Sequence, residues 1–359
     1  NIRWSHNQDT KSNPSSRFSA SVNLGSSQYF NQSINQTNNA SSLVNTLSSS
    51  ISYSKTFETV PQINFSVAGT HSQNTNTEEI NMSLPNFNAS VARIFPFEPK
   101  IGAKKGIIEN INLQYNLTAE NRIKTTDSEF FTSKMFDGAK LGARHTIPIS
   151  TNFKVLKYLS SSLSTTYQET WVFDTVKKDY DPSINNDEGG VVKDTISGFD
   201  SYRTYNFSAN LGTTMYGMFN FGKGKKIEAI RHVFRPSVSY NINPSYEHFY
   251  DSYQDPNALD ENIEYSRFEQ SLYGAPSKVR SSNVGISVSN TFEAKVRDND
   301  TTAIKPKKIV LLNNLNFNTA YNVLGDSLNW NPIRFSGSVP IVKKLDFNFN
   351  GTLDPYALD

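Results

Sequence analysis

The chain is predicted to be all-β: an antiparallel transmembrane β-barrel, or a large part of one, with about fifteen strands. Three observations carry this. Alternation of apolar and polar residues recurs along nearly the whole length, as in Phe18-Ser19-Ala20-Ser21-Val22-Asn23-Leu24, and a period of two is the period of a strand with one greasy and one wet face. The wet positions are mostly Asn, Ser, Thr and Gln, where a soluble sandwich would carry more Lys and Glu. The hydrophobic fraction is only 36% and the longest apolar run is a few residues around Ile309-Val310-Leu311-Leu312, so membrane helices, which need about 20 apolar residues each, are excluded. Barrels escape that test because only every second residue meets lipid. The 24 Phe and 17 Tyr suit the aromatic girdles of such a wall.

Taken in order, alternation and breaker clusters place strands near 1–7, 16–31, 43–57, 60–74, 78–95, 107–120, 137–152, 157–173, 200–221, 228–245, 264–274, 282–297, 307–322, 328–341 and 344–355. Many exceed the roughly 9–11 residues that cross a bilayer, so several should project beyond it. On these strands Phe18, Val22, Ile63, Phe65, Leu113, Leu211, Ile286 and Phe347 are expected on the lipid face. Asn23, Asn64, Asn112, Asn210, Ser287 and Asn348 are expected toward the lumen, and a one-residue slip would invert each strand.

Every second connection falls in the same class. One class is 32–42, 75–77, 121–136, 174–199, 246–263, 298–306 and 342–343, which includes the longest loops. The other is 8–15, 58–59, 96–106, 153–156, 222–227, 275–281 and 323–327. Long loops lie outside the cell and short turns in the periplasm. No segment sustains helical spacing, so no helix beyond a turn or two is expected.

An odd strand count does not close an ordinary bacterial barrel. Ile2 to His6 reads as the second half of a strand, and the last strand lacks a terminal aromatic. Residues 1–359 are therefore expected to be part of a single barrel domain whose terminal strands lie elsewhere.

A net charge of +2 argues against a nucleic-acid partner. The absence of Cys removes disulfides, thiolate chemistry and sulfur-ligated metals. His6, His71, His145, His232 and His248 share no metal spacing, and Asp and Glu are scattered without a pairing that suggests acid–base work. Gly-Lys-Gly-Lys-Lys at 222–226 lacks the frame of a phosphate loop and reads as a turn. No catalytic residue, metal site or cofactor is assigned.

The charges on the wet face are more informative. Val238, Tyr240 and Ile242 toward lipid turn Arg231 and Arg235 to the lumen, and the same parity turns Glu293 and Lys295 inward. Charge on a lipid face costs several kcal/mol near mid-membrane. These four side chains form either an internal salt-bridge ladder or a contact for charged cargo or a plug.

Several stretches then resemble a known family. Trp4-Ser5-His6-Asn7-Gln8-Asp9 leads to Asn13-Pro14. Leu84-Pro85-Asn86-Phe87 runs into Arg93-Ile94-Phe95-Pro96-Phe97. The most specific stretch is Ile230-Arg231-His232-Val233-Phe234-Arg235-Pro236-Ser237 through Asn243-Pro244. Tyr265-Ser266-Arg267-Phe268, Asn290-Thr291-Phe292-Glu293-Ala294-Lys295 and Asp354-Pro355-Tyr356 follow in order. Together they resemble the barrel of the lipopolysaccharide-assembly outer-membrane protein family (LptD, also OstA), in a divergent branch.

The resemblance implies a translocon in the cell outer membrane that takes lipopolysaccharide from periplasmic bridge proteins and inserts it in the outer leaflet. The glycan would pass through a hydrophilic lumen and the lipid would leave sideways, with no covalent chemistry. It also implies an LptE-like lipoprotein plug and an N-terminal periplasmic β-jellyroll. No gate residues carry over, nor does the redox-linked assembly that cysteines give some members. A porin or plugged importer for small solutes is the competing reading. A surface solenoid would need a repeat of about 20–30 residues, and none is seen.

Overall fold

Alternating runs leave half of each strand's side chains greasy, and pairing edge to edge gathers those halves on one surface. The computed structural model describes residues 2–26, 46–184, 189–222, 225–256, 262–297, 307–342 and 345–356. The expected connections 32–42 and 298–306 lie outside the described residues. The strands are β1 (Ile2–Asn7), β2 (Ser16–Leu24), β3 (Thr46–Phe57), β4 (Ile63–Asn74), β5 (Glu79–Ile94), β6 (Asn112–Thr126), β7 (Lys140–Val155), β8 (Leu159–Asp181) and β9 (Gly190–Gly212). They continue as β10 (Met215–Asn220), β11 (Ile227–Asn243), β12 (Tyr250–Gln254), β13 (Asn262–Ser266), β14 (Ser281–Val296), β15 (Lys307–Asn322), β16 (Ile333–Val342) and β17 (Leu345–Leu353). One α-helix, α1 (Ser133–Asp137), accompanies them among the described residues.

Among the described residues all strands but β12 and β13 join one 15-stranded antiparallel sheet, in which β1 to β9, β11 and β14 to β17 follow one another in chain order and β10 pairs with β11. Among the described residues its two ends, β1 and β17, do not pair with each other.

The register sorts the side chains by face. Phe18 stands opposite Tyr53, Ile63 opposite Phe57, Leu113 opposite Ile149, Leu211 opposite Val238, Ile286 opposite Val238, and Phe347 opposite Val339. On the reverse face Asn64 meets Thr56, Asn112 meets Ser150, Asn210 meets Ser239, Ser287 meets Ser237, and Asn348 meets Ser338. The two sets named from the sequence thus fall on opposite faces throughout. The apolar face is uncovered, with Val238 47% and Phe347 56% exposed. Apolar surface of this extent is suited to hydrocarbon, not to water.

Proline and glycine mark where the ladder yields. At Leu84-Pro85 the β5 strand bulges against Gly69, where a Cβ would lie 2.8 Å from Leu84 Cδ1. Pro236 lacks the N–H that Thr213 would need for a second ladder bond, and only Thr213 N–H donates, to Pro236 O at 3.2 Å. That gap divides the expected strand 200–221 into β9 and β10, which face β11 in one unbroken register. With β10 counted as the continuation of β9, the path has fourteen strands among the described residues. The expectation of further strands therefore no longer has an odd count behind it.

Two readings are corrected. Residues 174–199, read as a loop, are mostly strand: β8 and β9 pair from Ser160–Gly212 up to Asp181–Gly190. At the tip the Ser183 hydroxyl and N–H donate to Asp181 at 2.6 and 2.8 Å and hold its carboxyl below the usual range. The segment 264–274, read as a wall strand, is not in the wall. Its first residues belong to β13, which pairs only with β12, and the wall passes directly from β11 to β14.

Removing one strand reverses the ends of everything after it. β14 and β15 meet at the short-turn end, where β10 ends and β11 begins, and so do β16 and β17, whereas the connection after Asn322 lies at the long-loop end. The expected placements of 275–281 and 323–327 are reversed accordingly.

Candidate functional site: the polar face of the wall

All four charges singled out from the sequence lie on the polar face. Arg231 is directly opposite Glu293, Arg235 opposite Ser289, and Ala229 opposite Lys295. Arg231 Nη2 meets Glu293 Oε2 at 2.5 Å. Lys295 Nζ instead reaches Glu228 Oε2 at 3.4 Å, across the irregularity between Ile227 and Ala229. Arg235 is exposed and donates from Nη1 to Thr291 Oγ1 at 3.4 Å. The first three charges therefore form a short ladder of ion pairs, and Arg235 stands beside it with no carboxylate of its own among the described ion pairs.

The sequence did not reveal what covers the other part of this face. Between β11 and β14 the described parts of the excursion, 244–256 and 262–280, fold back over β6 to β9. Phe268, fully buried, packs with Val172 of β8 and Tyr202 of β9. Arg267 pairs with Asp200 at 2.9 Å and Lys178 with Glu269 at 2.7 Å. Tyr273 donates to the Thr118 carbonyl at 3.1 Å, and the Arg144 guanidinium lies 4.3 Å from its ring centre. Gly142 makes room, since a Cβ there would sit 3.1 Å from the Tyr273 ring. Tyr202 donates to Gly274 O at 2.8 Å. The Tyr246 hydroxyl receives the Tyr205 N–H and donates to the Tyr205 carbonyl, both at 2.5 Å. The excursion is a strap tied to four strands, with a small dry core of its own. The signals that could have found it are the aromatic spacing Tyr265, Phe268, Tyr273 and the lack of apolar alternation in 267–280.

The opposite face also holds polar chemistry that sequence reasoning missed. Glu169 and Arg203 face each other across β8 and β9 on the apolar side, with Arg203 Nε 3.2 Å from Glu169 Oε2. Tyr167 OH and Trp171 Nε1 also donate to this carboxylate, at 2.9 and 3.0 Å. Beside them Tyr115 OH is 2.7 Å from His145 Nδ1, and the His145 ring lies 4.2 Å from that of Trp171.

A charged pair in mid-bilayer is costly, but one ringed by Tyr and Trp suits the boundary between hydrocarbon and water. The stretch from Leu159 to Glu169, at about 3.3 Å per residue and a tilt of about 40°, climbs about 25 Å. That matches the roughly 25 Å apolar band of a transmembrane barrel and puts the Glu169 cluster at its upper rim. Phe219 and Phe221, both exposed, lie toward the opposite end. The upper halves of β8 and β9 then project beyond the band.

A two-faced antiparallel wall, uncovered on its apolar side and wet on the other, is the geometry of a protein that encloses a polar passage in a membrane. No curated protein matches the chain in sequence. A family model described as LptD protein matches residues 1–356. The match takes in the whole wall and the strap, and agrees with the resemblance read from the residues. The chain belongs to the LptD family, outer-membrane β-barrel proteins of lipopolysaccharide transport and assembly.

Proposed function

We propose that this wall is the translocon component that inserts lipopolysaccharide into the outer leaflet. The sugar portion passes along the polar face while the acyl chains leave sideways into the lipid around the apolar face. The observation that supports this best is the separation of the two faces by register. An amphiphile with a hydrated head and greasy tails finds solvents of both kinds within the thickness of one sheet. No bond is made or broken, so the wall needs only to lower the cost of moving sugars across the band. Asn, Ser and Thr side chains do this by offering donors and acceptors without fixed charge that would trap the cargo.

In this reading periplasmic bridge proteins deliver the lipid, and an LptE-like lipoprotein occupies part of the lumen. Arg235, with its exposed guanidinium, is the residue proposed to touch cargo or plug. Arg231, Glu293 and Lys295 mainly hold β11 to β14.

Depleting the protein in its own host tests the reading. Surface lipopolysaccharide should fall, and a wild-type copy should restore it. Unchanged surface lipopolysaccharide, together with solute flux through the reconstituted protein, would favour the porin or importer instead.

A further inference from the structure

The strap leaves a cleft beside it. The projecting part of β8 turns Val176, Lys178 and Tyr180 to the polar side, and the β12–β13 hairpin stands across from it. A cavity of about 960 Å³ lies between them. In the hairpin Asp251 pairs with Tyr265 and Tyr253 with Ile263, so Asp251, Tyr253 and Tyr265 share one face, and all three line the cleft. The rings of Tyr253 and Tyr265 lie 6.1 Å apart.

The walls are fixed to each other. Val176 N–H donates to the Arg267 carbonyl at 2.9 Å, and the Lys178–Glu269 and Arg267–Asp200 pairs tie the cleft's floor to the strap. The site is thus held in shape before anything enters it, which lowers the ordering cost of binding.

We infer that this cleft binds oligosaccharide, specifically the sugar portion of lipopolysaccharide as it leaves the lumen; the inference rests on the proposed function above. Three features select sugar over other ligands. The half-buried Tyr253 ring, backed by the buried Tyr265, offers a flat apolar face for the C–H side of a pyranose and a hydroxyl for its rim. Asp251, exposed on the same face of the hairpin, adds a carboxylate that accepts hydrogen bonds from sugar hydroxyls. Lys178 and Arg267 already hold carboxylates, and Lys177 is outweighed by Asp179 and Asp251 among the lining residues, so the cleft is polar without a net positive charge. An apolar ligand would find too many polar groups, and a polyanion too few unneutralised cations. The volume is at the upper end of the range for small-ligand sites, and the cleft lies above the Glu169 rim, where sugars rather than acyl chains are found.

The test uses the complete protein with its native plug and, as probe, oligosaccharide released from the host's own lipopolysaccharide by mild acid. Calorimetry should show saturable binding. Tyr253→Ala should weaken it about tenfold, the effect of losing one aromatic stack, and Tyr253→Phe should keep most of it. Heat-modifiable migration confirms that each variant is folded. If Tyr253→Ala does not assemble, Asp251→Ala, exposed on the same face of the hairpin, should give a smaller loss in the same direction.

No binding by the wild type, or full affinity in a folded Tyr253→Ala, overturns the inference. Normal surface lipopolysaccharide without oligosaccharide binding removes the cleft and leaves the function. Oligosaccharide binding in a protein whose depletion leaves surface lipopolysaccharide untouched removes the export reading and, with it, the cleft's assignment as an exit site.

Discussion

Glu169 with Arg203, and Phe268 with Val172 and Tyr202, are opposite departures from one rule on the same two strands. The first places a charged pair on the greasy face of β8 and β9. The second places a dry aromatic cluster on their wet face, a few residues further up. Each is stabilised by what surrounds it: Tyr167 and Trp171 donate to the carboxylate, and the strap supplies Phe268 and its neighbours. Period two assigns a residue to a face. It does not say what solvent that face meets at a given height, and both exceptions lie where the solvent changes.

Substitutions can break or sharpen this contrast. The largest effect should come from Phe268→Ala, because the side chain is 0% exposed and losing a buried Phe costs about 3–5 kcal/mol. The loss should be local: strap residues 244–280 should become open to protease while the wall keeps its heat-modifiable migration. If the whole wall unfolds with the strap, the two are one unit and the contrast fails.

Next is Val238→Arg, between Leu211 and Ile286 within the apolar band. It should cost about 2–4 kcal/mol in urea unfolding from liposomes. Ser239→Arg, one residue on and facing the lumen, should cost close to nothing. Equal costs would mean that the faces are misassigned.

Arg203→Met should fall between that effect and the next, lowering the unfolding midpoint in liposomes. Glu169→Gln in the same background should recover part of the loss, since a neutral amide no longer needs a cation. A midpoint unmoved by Arg203→Met would place the cluster clear of the membrane rim.

The smallest change is expected for Arg231→Ala, below about 1 kcal/mol, because water in the lumen solvates Glu293 once its partner is gone. Surface lipopolysaccharide in that variant should stay normal, whereas Arg235→Ala should lower it with barrel assembly unchanged.

The wall was legible in the sequence because each membrane-crossing strand must be apolar on alternate residues, and that constraint is strict inside the band. Arg231, Arg235, Glu293 and Lys295 could be assigned to a face for the same reason, but their partners could not. The pairing of Lys295 with Glu228 depends on an irregularity at Ile227–Ala229 that leaves no mark in the pattern.

Outside the band the constraint lapses. Lys177-Lys178-Asp179-Tyr180-Asp181 and its partners Gly190 to Asp194 are wetted on both sides, so their strands show no alternation and read as loop. The short β12 and β13 have the same difficulty. Residues 264–274 instead resembled a wall strand, although Ser266 and Phe268 serve the strap. Glu169 does not stand out in the sequence, because a lone carboxylate in a run of Ser, Thr and Gln looks like lumen until neighbouring strands fix its side.

The Tyr246 hydroxyl has a consequence for how the wall is aligned. β11 ends at Asn243, and above Phe207 the β9 strand has no ladder partner on that side among the described residues. A two-residue slide of β11 along β9 would keep every greasy side chain on the greasy side, so hydropathy alone does not forbid it. By occupying both the N–H and the C=O of Tyr205, Tyr246 fills the rung that such a slide would need. One phenol on the first turn of the strap acts as an end stop, choosing among alignments that the membrane itself cannot tell apart.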